Sequence, residues 1–347
     1  MPMYHRIAEI LTAQPVAHCA GSVLGRSRQG RAVRGFQFGT GARRISLLGG
    51  CHADEPVGPL LLRRFASYLS LLPPDDSLLA NYQWWIVPHI NPDGEGRNRQ
   101  WYNDRVAVFD PVAYLSYRTR ERPGDDIEFG FPRDSNDTNA RPENRAVYDW
   151  WRTAGTFALH TSMHGMGFSA GPWFLLEPAW RDRCNLLKQR CVARVTALGY
   201  SLHDVERGGE KGFFRIERGF CTRPDSNSMR SHFMKLGDRD TAQLFRPSSM
   251  EVVREMGGNP LTLVSEMPLF ITPGVGELIG PPDKAAEEWK IRIDRWRMML
   301  TEDGTEDKVR REAEEAGLQA MPIRDQMELQ VTLVFAGVEL VTADRAS

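Results

Sequence analysis

Four short stretches of the chain carry residues suited to holding a metal or moving a proton. GGCHADEPVG (49–58) sets His52 and Glu55 three positions apart, directly after the apolar run ISLL. TFALHTSMHG (156–165) carries His160 and His164, PLTLVSEMPLF (260–270) carries Glu266, and QWWIVPHINPDG (83–94) carries His89, Asn91 and Asp93. Two histidines and one carboxylate make a zinc set that leaves a fourth position open for water. Zinc in such a set lowers the pKa of the water and polarises a carbonyl. A free carboxylate opposite can accept the proton and pass it to a leaving amine. Glu266 suits that part, because a charge at the end of an apolar strand is costly to bury without a purpose.

Each residue also has a plainer reading. His52 could cap the following helix, and Glu55 could favour its N-terminal end. His160 and His164 point to one face of a strand, being an even number of residues apart. His164 lies nearer the strand end and should reach a cleft. His160 should be buried and hydrogen-bonded, or sit behind a ligand. His89 reads as structural, and Glu266 alone could be a buried ion-pair partner.

The chemistry requires elements that bring these residues together. VRGFQFG (33–39), RISLLGG (44–50), QWWIVPHI (83–90), TFALHTSMHG and PLTLVSEMPLF read as strands, apolar runs bounded by glycine or proline. PVGPLLLRRFASYLSLL (56–72), ENRAVYDWWRTAG (143–155), SSMEVVREMGG (248–258) and AAEEWKIRIDRWRMML (285–300) read as helices, with a short one at 4–14. KVRREAEEAG reads as helix, and QVTLVFAGVELV as strand or helix. Strands alternating with helices predict an α/β fold with a largely parallel sheet, whose ligands sit beyond the carboxyl ends of the strands. The expectation is one domain over residues 1–347, with long loop insertions at 97–142 and 206–245 and a helical C-terminal extension from about 280.

Bulk properties narrow the function. The chain of 347 residues is 41% hydrophobic and carries a formal net charge of −1. It can bury a sizeable core, and nothing in its charge suggests a nucleic-acid partner. No apolar run approaches the roughly 20 residues of a membrane span. MPMYHRIAEILTAQPVAHC lacks the apolar centre of a signal peptide, which predicts a cytoplasmic location. The five cysteines are odd in number and form no CxxC, so neither a disulfide framework nor a cysteine zinc site is expected. Oligomeric state is left open.

HADE (52–55), NPDG (91–94), TSMHG (161–165) and VSEMPLF (264–270), in this order, resemble the zinc carboxypeptidase family, the funnelin-type metallopeptidases. LGRSRQGRAV (24–33) and RPENRAV (141–147) extend the resemblance over roughly residues 24–270. It implies an α/β/α sandwich around a mixed, mostly parallel sheet of about eight strands. It implies one zinc per chain on His52, Glu55 and His164, with Glu266 as general base. HADEPVG is also similar to the aspartoacylase and succinylglutamate desuccinylase branch, whereas NPDG and VSEMP lean toward the peptidases.

Two departures bear on the substrate. The family's Asn-Arg pair grips a terminal carboxylate, as an arginine fork suits. At DIEFGFP (126–132), Glu128 and Phe129 stand in that place, and Glu128 would repel a carboxylate or recognise an ammonium. Arg133 or Arg254 could take over the clamp. The family's oxyanion arginine has candidates in EGRNRQWYNDR, with Arg99 favoured over Arg97, and Arg105 the third. The resulting expectation is a zinc metallopeptidase cleaving an amide of a peptide or modified peptide. An N-acyl-amino-acid deacylase and a non-catalytic binding protein on the same fold are the alternatives.

Overall fold

The computed structural model describes residues 3–16, 21–103, 106–204, 206–275 and 283–343. Its strands are β1 (Ser22–Arg26), β2 (Ala32–Phe38), β3 (Arg43–Gly49), β4 (Tyr82–Val87), β5 (Leu159–Ser169), β6 (Trp173–Leu176), β7 (Arg215–Glu217), β8 (Phe220–Thr222), β9 (Leu261–Ile271) and β10 (Gln319–Ala320). They form a ten-stranded sheet in the order β1-β2-β4-β3-β5-β9-β6-β8-β7, with β10 on β9. The central block β4-β3-β5-β9 is parallel. Antiparallel pairs flank it on both sides, so the sheet is mixed and has ten strands rather than about eight.

The helices before the second half of the sheet are α1 (Ile7–Thr12), α2 (Val57–Leu71), α3 (Ser77–Ala80), α4 (Pro92–Asn98), α5 (Pro111–Tyr117) and α6 (Pro142–Ala154). Those that follow are α7 (Asn185–Ala197), α8 (Ser226–Lys235), α9 (Arg239–Leu244), α10 (Ser249–Glu255), α11 (Lys284–Met299), α12 (Glu306–Glu315) and α13 (Ile323–Ala343). Side chains alternate between the two sheet faces. Ile45, Leu47, Trp84, Ile86 and Leu263 pack toward α1, α2, α7 and α13. Leu48, Trp85 and Val87 pack toward Val147 and Trp151 of α6 and Val252 and Val253 of α10. Coverage on both faces is why the central strands read as nearly unbroken apolar runs.

Two expectations change, and one open reading is resolved. The 97–142 insertion contains α5, and the 206–245 insertion contains β7, β8, α8 and α9 rather than loop alone. The apolar segment near the C-terminus is the helix α13, buried along most of its length. Its Gly337 fits tightly, since an added Cβ would lie 2.8 Å from Leu263 Cδ1. A hydrophobic helix buried almost all round has no amphipathic period to distinguish it from a strand.

Candidate metal centre

The parallel strand β3 ends at Gly49, and Gly50 turns the chain with a φ of +73°. An added Cβ there would lie 2.3 Å from His89 Nδ1, so the position takes only glycine. His89 is thus structural, and its Nδ1 accepts the Asn91 N–H at 3.1 Å. The turn carries His52 and Glu55 beneath the start of α2. From β5, His164 meets them.

Three ligand atoms converge there. His52 Nδ1 lies 2.7 Å from Glu55 Oε1, His164 Nδ1 lies 2.9 Å from Glu55 Oε2, and the two Nδ1 atoms are 3.2 Å apart. A tetrahedral zinc with bonds of about 2.0–2.1 Å places its ligands about 3.3 Å from one another. Two imidazole nitrogens and a carboxylate facing one point at this spacing fit such an ion. Neutral imidazoles gain little from opposing nitrogens, whereas a cation between them uses both lone pairs.

The electrostatics agree. Burial and the Arg120 guanidinium pull His52 down, but Glu55 and Asp126 outweigh them and push it up to about 10. His164 is likewise raised against burial by Glu55 and Glu128. Glu55 is held well below the usual carboxylate range despite burial, by the two histidines. The pocket therefore favours positive charge at the place where the ring nitrogens meet.

Behind each histidine stands a carboxylate. His52 Nε2 is 3.5 Å from Asp126 Oδ1, and His164 Nε2 is 3.1 Å from Glu128 Oε2 and 2.9 Å from Ser162 Oγ. Such partners fix which ring nitrogen faces the metal. Glu128 is 4% exposed, so it does not face substrate as expected. The adjacent Phe129 is also buried, edge-on to Phe245 with centroids 5.5 Å apart. Both positions of the expected clamp have turned inward.

Glu266 is half-buried and stands beside His164 in the β5–β9 register. Burial, reinforced by Glu55, pushes its carboxyl up to about 8 against the pull of His164, His52 and Arg120. His160 is fully buried, with Nδ1 3.1 Å from Ser46 Oγ and Nε2 3.1 Å from Ser249 Oγ, and touches none of the three ligand atoms.

The arginine expectations are corrected. Arg97 pairs at 2.5 Å with Glu121, whose buried carboxylate also accepts the Ala53 N–H, and it does not reach the three ligand atoms itself. Arg99 is exposed on a separate cleft, and Arg105 lies outside the described residues. The cation beside the three ligand atoms is Arg120, whose Nη1 is 3.3 Å from Glu55 Oε1 and 3.5 Å from Asp54 Oδ1. Its neighbour Arg118 holds Asp54 at 2.5 Å. The RTR triplet at 118–120 was the signal, but it lies beyond α5, farther along the chain than the arginines after NPDG. Arg133 is exposed and donates to the Gln243 carbonyl at 3.3 Å, and Arg254 pairs with Glu177. Neither contacts the three ligand atoms.

Fold and site together define a class: a mixed-sheet α/β protein with two histidines and one carboxylate gathered, as a group that could hold a metal ion, at the ends of parallel strands. The family model for zinc carboxypeptidases matches residues 7–173. Over that segment, just under half of its length, the chain is similar to the zinc carboxypeptidase family. Among individual proteins it is similar to zinc carboxypeptidase A 1 of Anopheles gambiae, 32% identical over 100 residues. That match spans 26% of this chain and 22% of the mosquito protein. Among solved structures it is similar to a metallo-carboxypeptidase from Burkholderia cenocepacia, at 12% identity and a TM-score of 0.47, covering 99% of this chain and 69% of that one. It is also similar to carboxypeptidase A from Helicoverpa armigera, at 12% identity and a TM-score of 0.46, covering 99% and 72%.

Proposed function

We propose that the chain is a zinc-dependent hydrolase that cleaves an amide bond of a peptide or modified peptide. His52, Glu55 and His164 would hold one zinc ion, and the convergence of their three ligand atoms carries the reading. When bound, zinc supplies Lewis acidity toward a carbonyl oxygen and toward water. Glu266 takes a proton from water and returns it to the departing amine, which suits a carboxyl whose affinity for protons burial has raised. Arg120 offers a guanidinium to the oxygen on which negative charge develops. Glu128 and Asp126 hold the ligand imidazoles in orientation.

The substrate class follows from the missing clamp. With Glu128 and Phe129 both buried, no arginine fork stands at the family's carboxylate-binding pair. A peptide whose terminal carboxylate is amidated or otherwise masked loses nothing at this site. The amide-hydrolase reading is favoured over the deacylase by the match to the peptidase family. A cytoplasmic location belongs to the same proposal, supported by Cys51, Cys184, Cys191 and Cys221 standing as buried free thiols. Among the described residues no helix is long and apolar enough to cross a membrane.

Elemental analysis tests the metal site. Wild-type protein should carry about one zinc per chain, and His164→Ala purified alongside should carry almost none. Equal zinc in both, or none in either after incubation with zinc, removes the proposal.

A further inference from the structure

Arg99, expected at the metal centre, instead helps to line a cleft of about 580 Å³ on the other side of α4. The volume is that of a small-molecule site. Three elements build it. Arg34 and Phe36, two apart on β2, project from one strand face. Glu95 and Arg99, four apart at α4, share a helix face. Arg63 reaches in from α2, and Arg31 closes the edge.

The charges in this space do not cancel. Four arginines line it, against Glu95 as its one acidic residue. Arg63 is 6% exposed and pairs with Glu95 at 2.7 Å. Arg31 pairs at 3.1 Å with Asp93, which is not part of the lining. Arg34 donates to the Gly21 carbonyl at 3.1 Å, an uncharged acceptor. Arg99 faces Glu95 through its charge alone, with no hydrogen bond among the described residues. Arg34 is left without a carboxylate and Arg99 shares Glu95 with Arg63, so positive charge is in surplus on a concave wall also lined by the edge of Phe36. The field is strong enough to act on Glu95: against burial, His89, Arg63 and Arg99 hold its carboxyl down to about 2.

Guanidinium groups converging on a concave surface bind oxyanions through charge-assisted, often paired hydrogen bonds. We propose that this cleft binds a small organic oxyanion, a phosphate or carboxylate whose apolar part lies against Phe36. The ligand is held between Arg34 and Arg99, while the Arg63–Glu95 pair forms a fixed floor. The site is separate from the metal centre and does not depend on the hydrolase reading.

Isothermal titration of the zinc-loaded protein with inorganic phosphate, and separately with acetate, tests it. At least one anion should bind saturably at one site, and the Arg34→Gln/Arg99→Gln protein should bind it at least tenfold more weakly. Preference for phosphate or for acetate tells the two ligand types apart. His164→Ala should retain the binding. If neither anion binds saturably, the proposal fails. It also fails if the double variant binds as the wild type does while His164→Ala does not, because the anion then belongs to the metal centre.

Discussion

His164 and Glu266 stand opposite each other on the parallel strands β5 and β9, as register partners on one sheet face. On the far side of Glu266, Trp173 of the antiparallel strand β6 occupies the same row. An imidazole, a carboxyl and an indole thus form one line across three strands. Backbone hydrogen bonds fix the distance between His164 and Glu266, and Trp173 closes the row with an apolar wall. Placing both groups on strands gives a more exact geometry than loops would allow.

Glu266→Gln should therefore separate chemistry from metal binding. With zinc content unchanged, kcat on a peptide substrate should fall about 100- to 10,000-fold. A loss of zinc in this variant would mean that Glu266 helps to hold the metal instead.

Arg120→Ala should lower kcat by about 100- to 1000-fold, the cost of one lost oxyanion donor. Arg97→Ala and Arg99→Ala should leave kcat near wild type, since neither touches the three ligand atoms. A large effect at Arg99 with none at Arg120 would reverse the assignment.

Glu128→Gln should weaken zinc binding about 10- to 100-fold in competition with a chelator, because the carboxylate behind His164 is lost. Preference between free and amidated peptide ends should not change in that variant. A change in that preference with zinc affinity intact would return Glu128 to the substrate face.

His160 predicts a pH effect on stability. Burial, with Arg223 and His164 adding, holds it down to about 3 from its ordinary 6.5. Between these values the unfolded chain binds more protons than the folded one, so stability falls as the pH drops below about 6.5. The loss attributable to His160 is about 2 kcal/mol at pH 5. In thermal melts, His160→Gln should lose less than the wild type between pH 7 and pH 5, and an equal drop would clear His160 of the effect.

The residues of the candidate metal site left local marks in the sequence, because they lie at strand ends. HADE follows a buried strand, and the even spacing of His160 and His164 puts them on one face. Residues positioned by long loops left no such mark. Arg120 arrives after α5, and neither its distance from NPDG nor its neighbours reveal which arginine reaches Glu55. Glu128 lies 3.1 Å from His164 Nε2, a placement that position along the chain does not reveal. Short elements such as β7 and β8, at three residues each, were hidden by the polar sequence around them.

The buried helix α13 reaches the site from behind the sheet. Its Gln330 donates to the His164 carbonyl at 3.3 Å and to Ser265 Oγ at 3.1 Å, tying together the two strands that carry the ligand and the base. In a chain made from its N-terminus, His52 and Glu55 emerge early, His164 much later, Glu266 later again, and Gln330 after all of them. A nascent chain therefore holds His52 and Glu55 long before His164 and Glu266, and the two central strands lack their clasp until α13 has docked. The alignment of His164 with Glu266 thus rests on a helix that follows both of them in the chain.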